Sequence, residues 1–239
     1  MSGATVRSGC QQYDYRAPLE TVLTIGAMGR NAGRSRVWLF FLAPLVLSGL
    51  NLSQTSAVSS ARQTFIEKLV LAAIERTNHV VRYDPAYVRI PYPGGDVPAS
   101  TGVCTDEIIR AYRAVGVDLQ KEVHEDMVAN FPAYPRKWRW VGGQPDRNID
   151  HRRVPNLMVF FQRKGEVLPV TTNPGDYNPG DLVTWDLGGN IPHIGIVVDR
   201  RGQGGRFMIV HNIGQGPKME DVLFNWKITG HYRYFGPQS

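Results

Sequence analysis

The sequence predicts an α+β fold, with helices gathered in its first two thirds and an antiparallel sheet built from its last third. Three observations carry that prediction. Apolar residues recur at helical spacing at Phe65, Ile66, Leu69, Val70, Ala73 and Ile74, and again at Ile108, Ile109, Tyr112 and Val115. Four β-rich runs crowd the C-terminal part: DLVTW, HIGIVVD, RFMIVHN and ITGHYRYF. Gly-, Asn- and Pro-bearing turns separate those runs, and helices followed by strands is the α+β order.

Each element has its own signals. Ser59 or Ser60 is placed to cap the first helix. From His79 to Val103 the chain is rich in Tyr, Pro and Gly, which reads as a long ordered loop. A second helix is expected from Cys104 to Val115, with Gly116 as its stop. A third is expected around Lys121 to Phe131, closed by Pro132 and Pro135. The polar and aromatic stretch between Pro135 and Arg153 has the composition of a loop that lines a site. A short helix over Leu157 to Lys164 precedes the strands.

Composition describes one globular domain with a core: 42% of the 239 residues are hydrophobic and 20% are charged. The net charge is +6, and five arginines against two acidic residues in residues 1–57 account for half of it. No basic run interleaved with aromatics marks a nucleic-acid groove. Arg30, Arg34 and Arg36 precede the apolar run VWLFFLAPLVLSGL and then the small polar stretch NLSQTSAVSSA, the three-part layout of a secretory signal peptide. The run is short for a membrane span of about 20 residues. The expectation is therefore a leader over residues 1–57, with the true start at Met28 and cleavage near Ala57 or Ala61, and a single domain over residues 58–239. An uncleaved membrane anchor is the rival reading of the same run.

Cys10 lies in that leader and Cys104 is then alone, so an exported chain has no internal disulfide to form. A free cysteine is often a buried small residue. Cys104, however, falls where a glycine- and proline-rich loop gives way to a helix, and a helix N-terminus favours the thiolate through its partial positive charge and free N–H groups. The same N–H groups suit an oxyanion. His193 opens a strand and is the candidate general base. His211, or its neighbour Asn212 on the other face, is the candidate for orienting that imidazole. A zinc site from His193, His211 and an acid is the rival chemistry for these residues. His124 lacks the second histidine of a zincin helix and reads as a solvated or capping residue.

Cys104 after YPGG, then PGDLVTW, HIGIVVD and IVHN, resemble the ordered motifs of NlpC-type papain-like cysteine peptidases. The longer runs YDPAY, YPGGDVP, GVCTD, HEDM, NIDHRRVPNL, HIGIV, VHNIG and GHYRY resemble a secreted bacterial family, the domain of unknown function 1287, over about Ala61 to Phe235. The resemblance implies a papain-like fold with Cys104 as nucleophile, His193 as base and His211 as orienting residue, and it puts Tyr92 beside the oxyanion hole. Two features depart from the NlpC pattern. Val103 stands where an aspartate usually precedes the cysteine, with Asp106 following instead, and DRRGQGG lengthens the span from His193 to His211.

The function expected is an exported cysteine hydrolase, periplasmic or extracellular, acting on peptide bonds of peptidoglycan stems. Asp150, Arg152 and Arg153 would recognise substrate, the arginines by gripping its carboxylates. A salt-bridged loop is the alternative for those three residues. A catalytically silent wall-binding module and a thiol acyltransferase are the alternatives for the whole. No cofactor or metal, no nucleic-acid partner, no membrane span after cleavage and a monomeric chain complete the expectation.

Overall fold

The segment from Leu50 to Arg76 contains neither glycine nor proline, and it forms one helix, α1 (Leu50–Arg76). This computed structural model describes residues 50–135 and 143–237. The leader expected over residues 1–57 lies mostly outside them, with the start at Met28 and the apolar run. With no breaker to stop it, the helix begins ahead of Ser59 and Ser60, which lie within it and do not cap it. Leu69, Val70 and Ala73 are buried, and Phe65, Ile66 and Ile74 pack at the margin of the same core.

The loop that follows is ordered by side chains reaching back to it. Two short strands, β1 (Arg82–Tyr83) and β2 (Thr101–Gly102), pair in parallel at its ends. Arg110 bonds Asp96 at 2.9 Å and the Thr101 carbonyl at 2.9 Å, while the Gly95 N–H donates to Gln120 at 2.7 Å. A Cβ on Gly95 would lie 2.0 Å from the Pro91 carbonyl oxygen, so only glycine closes this turn.

Helix α2 (Cys104–Ala114) follows at once, and Gly116 at φ +88° ends it as expected. Its buried face carries Ile108, Ile109 and Tyr112. Helix α3 (Leu119–Asn130) is capped by the Asp118 side chain, and α4 (Val154–Lys164) starts three residues earlier than its apolar pattern suggests, with Pro155 in its first turn. A one-turn 3-10 helix, Asp150–Arg152, leads into α4.

Among the described residues the sheet has six strands: β3 (Glu166–Val167), β4 (Leu182–Asp186), β5 (Pro192–Arg201), β6 (Phe207–Asn212), β7 (Pro217–Glu220) and β8 (Lys227–Arg233). Their order is β3-β8-β4-β5-β6-β7, antiparallel throughout. The two-residue β3 and the four-residue β7 are the strands that hydropathy does not reveal, since Glu166, Lys218 and Glu220 interrupt any apolar run. Ile194, Ile196, Val198 and Val210 face the helices. Val183, Trp185, Val197 and Ile209 face the other way, against Tyr177 and Leu223. Burial on both faces explains why HIGIVV reads as a continuous apolar run without polar alternation.

Candidate functional site

The position of Cys104 is set by its neighbour Asp106. Val103 is the residue before the helix and has no side-chain oxygen to cap it. Asp106 supplies the cap from inside the first turn: its carboxylate accepts the Val103 N–H at 2.7 Å, and its own N–H donates to the Val103 carbonyl at 3.1 Å. That carboxylate is in turn held by both arms of Arg152, at 2.8 and 3.0 Å. The remaining Arg152 donors reach the carbonyls of Ala86 and Asp84 at 2.8 and 3.2 Å, and its own carbonyl accepts the Thr105 hydroxyl at 3.1 Å. One guanidinium thus ties the loop, the 3-10 turn and the start of α2 together.

Cys104 is 4% exposed. The backbone N–H groups of Ile194, Thr105 and Cys104 act to stabilise a thiolate, yet burial outweighs them and pushes the Cys104 pKa up to about 12. Desolvation thus overturns the lowered pKa expected of a thiol at a helix N-terminus. Tyr83, on the strand paired with Gly102, lies close enough that Cys104 and Asp106 add to the burial that raises its pKa to about 12.

His193 and His211 belong to adjacent strands. Their rings meet through His193 Nε2 and His211 Nδ1 at 2.8 Å. His211 Nε2 then meets Glu220 Oε2 at 2.9 Å, on the edge strand β7. Trp185 and Trp226 line the pair, with ring centroids 5.9 and 6.4 Å from that of His193. Burial, with the neighbouring His211, pulls the His193 pKa down to about 3. Asn212 points to the helix-facing side, where its Nδ2 is buried without a partner among the described residues and its Oδ1 accepts the Gly214 N–H. Cys104 reaches β5 at the Ile194 N–H, the residue after His193, and no hydrogen bond joins the thiol to the His193 ring among the described residues.

The other expected site residues lie elsewhere. Tyr92 is turned away from the thiol: its hydroxyl lies 3.4 Å from Glu125, and its ring stands edge-on to His124. His124 is not merely solvated, since its Nδ1 lies 2.8 Å from Asp150. Arg152 and Asp150 are buried and committed to those partners. Arg153 and Asp150 line a cavity of about 170 Å³ with Tyr87, Met127, Phe131 and Asn156. Neither Cys104 nor His193 lines it. Among the described residues no group of three or more His, Cys, Asp or Glu is arranged to hold a metal ion. His211 already uses both ring nitrogens, which leaves it no lone pair for one.

A family model described as a domain of unknown function (DUF1287) matches residues 70–234. The chain belongs to the DUF1287 family. The matched span of this DUF1287 domain holds Cys104, Asp106, His193, His211 and Glu220. The uncharacterized protein YijF of Escherichia coli (strain K12) is 56% identical over 153 residues, covering 64% of this chain and 74% of its own length. A solved structure, that of NlpC1 from Trichomonas vaginalis, is similar at 18% identity and a TM-score of 0.37. The match covers 68% of this DUF1287 chain and 42% of that protein. Among the described residues no helix is long and apolar enough to cross a membrane.

Proposed function

We propose that this DUF1287 protein is an exported thiol hydrolase that cleaves amide bonds, with peptide stems of the cell wall as its substrate class. The supporting observation is the meeting of Cys104, at the first turn of α2, with the start of β5, where the His193 ring is held by His211. That order, helix-borne thiol, strand-borne histidine and a polar orienting residue on the next strand, resembles the papain-like one. Export and the wall substrate rest on the leader and on the resemblance of the motifs.

The raised thiol and lowered imidazole define the resting state as a neutral pair. The reaction therefore starts by proton transfer. His193 shares with Trp185 the sheet face opposite the helix-side core that holds Cys104, so the thiol must turn out of that core past the start of β5. His193 Nδ1 then takes the Sγ proton, and sulfur bonds to the carbonyl carbon of the amide. N–H groups at the start of α2 hold the oxyanion. His193 returns the proton to the departing amine as the C–N bond breaks, and water then hydrolyses the thioester by the same route.

Burial of Cys104 also favours a second reading, a silent module that retains the fold and binds without cleaving. Purified mature protein incubated with isolated sacculi or defined muropeptides separates the two. Released products that vanish in Cys104→Ala support the hydrolase, and transfer to an added amine in place of water marks an acyltransferase. Equal binding to sacculi with and without Cys104, and no cleavage of any amide or ester, sinks the enzyme reading.

A further inference from the structure

We infer that Glu220 is a positioning residue that fixes the tautomers of His211 and His193, leaving the lone pair of His193 on Nδ1. The role of that lone pair as a base rests on the hydrolase reading above. The tautomer assignment does not.

An ionised carboxylate can only accept hydrogen bonds, so the 2.9 Å contact between Glu220 Oε2 and His211 Nε2 puts a proton on that nitrogen. Burial lowers the His211 pKa against the attraction of Glu220, with Lys218 acting in the same direction as burial. Neutral His211 carries its lone pair on Nδ1, which must then accept from His193 Nε2 across 2.8 Å. His193 is neutral too, and its only proton is spent in that bond. Nδ1 is what remains.

The charged and titratable groups facing His211 come from both neighbouring strands: His193 from β5, and Glu220 and Lys218 from β7, with Lys218 directly opposite in the ladder. The Trp226 ring, 6.2 Å away between centroids, adds no charge. A protonated His211 would donate from Nδ1, turn the His193 ring into an acceptor at Nε2 and place a proton on its Nδ1. Glu220 and Lys218 therefore act in opposition. The carboxylate orders the proton on His211, and the ammonium disfavours a second one.

Two-bond proton–nitrogen spectra of the uniformly 15N-labelled protein read the tautomers without any substrate. The wild type should show both His193 and His211 protonated at Nε2 alone. Glu220→Ala should mix the tautomers of both rings, and Glu220→Gln, whose carbonyl oxygen still accepts, should largely restore them. On any substrate the protein cleaves, Glu220→Ala should lower kcat roughly tenfold with KM little changed, by analogy with the low end for carboxylates that orient metal-bound histidines. A wild-type His193 protonated at Nδ1, or tautomers indifferent to Glu220→Ala, overturns the assignment. The expected tautomers in a protein that cleaves nothing would instead remove the hydrolase reading and leave the positioning role standing.

Discussion

Asp106 and Arg152 grip each other through two hydrogen bonds, and both side chains are 2% exposed. The pair is more than a buried ion bridge. Asp106 closes the first turn of the helix that bears Cys104, and Arg152 carries that closure to the loop at Asp84 and Ala86. Its carboxylate stands two residues after the cysteine, where Val103 has left the capping position empty.

Removing either partner strands a buried charge, so Asp106→Ala or Arg152→Ala should each cost roughly 3–5 kcal/mol of folding stability. Urea denaturation measures the loss. The double variant should cost clearly less than the two single losses combined, because it leaves no unpaired ion. Arg153→Ala, at a partly buried residue that lines the cavity, should cost much less than Arg152→Ala.

The Cys104 pKa of about 12 makes the thiol inert in the resting protein at neutral pH. Alkylation by iodoacetamide should stay slow through pH 8.5, the ordinary thiol range, and climb well above it. Stability follows the same group. The unfolded chain loses the thiol proton before the folded one does, so stability should fall as pH rises from about 8.5 towards 10, and Cys104→Ala should flatten that part of the decline. Above it the buried Tyr112, Tyr134 and Tyr234, also held protonated by burial, add their own. A fast reaction at pH 7 would contradict the buried, protonated thiol.

Acid should act through the buried histidines. His193 and His151 are both pulled down to about 3, His193 by burial and His211, His151 by burial and the Arg152 charge. Below about pH 6.5 the unfolded chain binds protons that the folded one refuses, so each ring should cost up to about 1.4 kcal/mol of stability per pH unit as the pH drops towards 3. Thermal melts from pH 7 to pH 4 test it. His151→Gln should flatten the slope; an unchanged slope would assign the acid lability to other groups.

The two candidates beside His193 separate by substitution. His211→Ala removes the ring nitrogen that holds His193 and should lower turnover by about tenfold or more while the fold persists. Asn212→Ala removes an amide whose Nδ2 has no partner, and should leave turnover nearly unchanged. Steady-state kinetics on the same substrate decide the ranking.

Much of the helix and strand order was legible because the apolar spacing of Ile108, Ile109 and Tyr112, and the doubly buried HIGIVV, are local signals. The start of α2 was legible for the same reason. Glu220 was not: β7 is short, polar and at an edge, and its glutamate acquires meaning only through the β6 register. Arg152 misled in the opposite sense. Its sequence neighbourhood, rich in charge, suits a ligand site as well as a buried ion network, and only the distance to Asp106 separates the two. Tyr83 shows a third limit. Its nearness to the thiol comes from the parallel pairing of β1 with β2, which two residues on each side cannot advertise.

Strand β8 lies between β3 and β4, although among the described strands it is the last to be synthesised. The ladder from β4 to β7 can zip up as its residues emerge, but β3 has no edge to join until β8 has been made. Closure therefore joins segments far apart in the chain and comes late. A chain interrupted before Lys227 would present β4 as a raw edge, with the backbone groups that pair Leu182 to Tyr232 left open to another molecule. Truncated forms should self-associate more readily than the full chain, and the C-terminal segment must be free before the sheet can be whole.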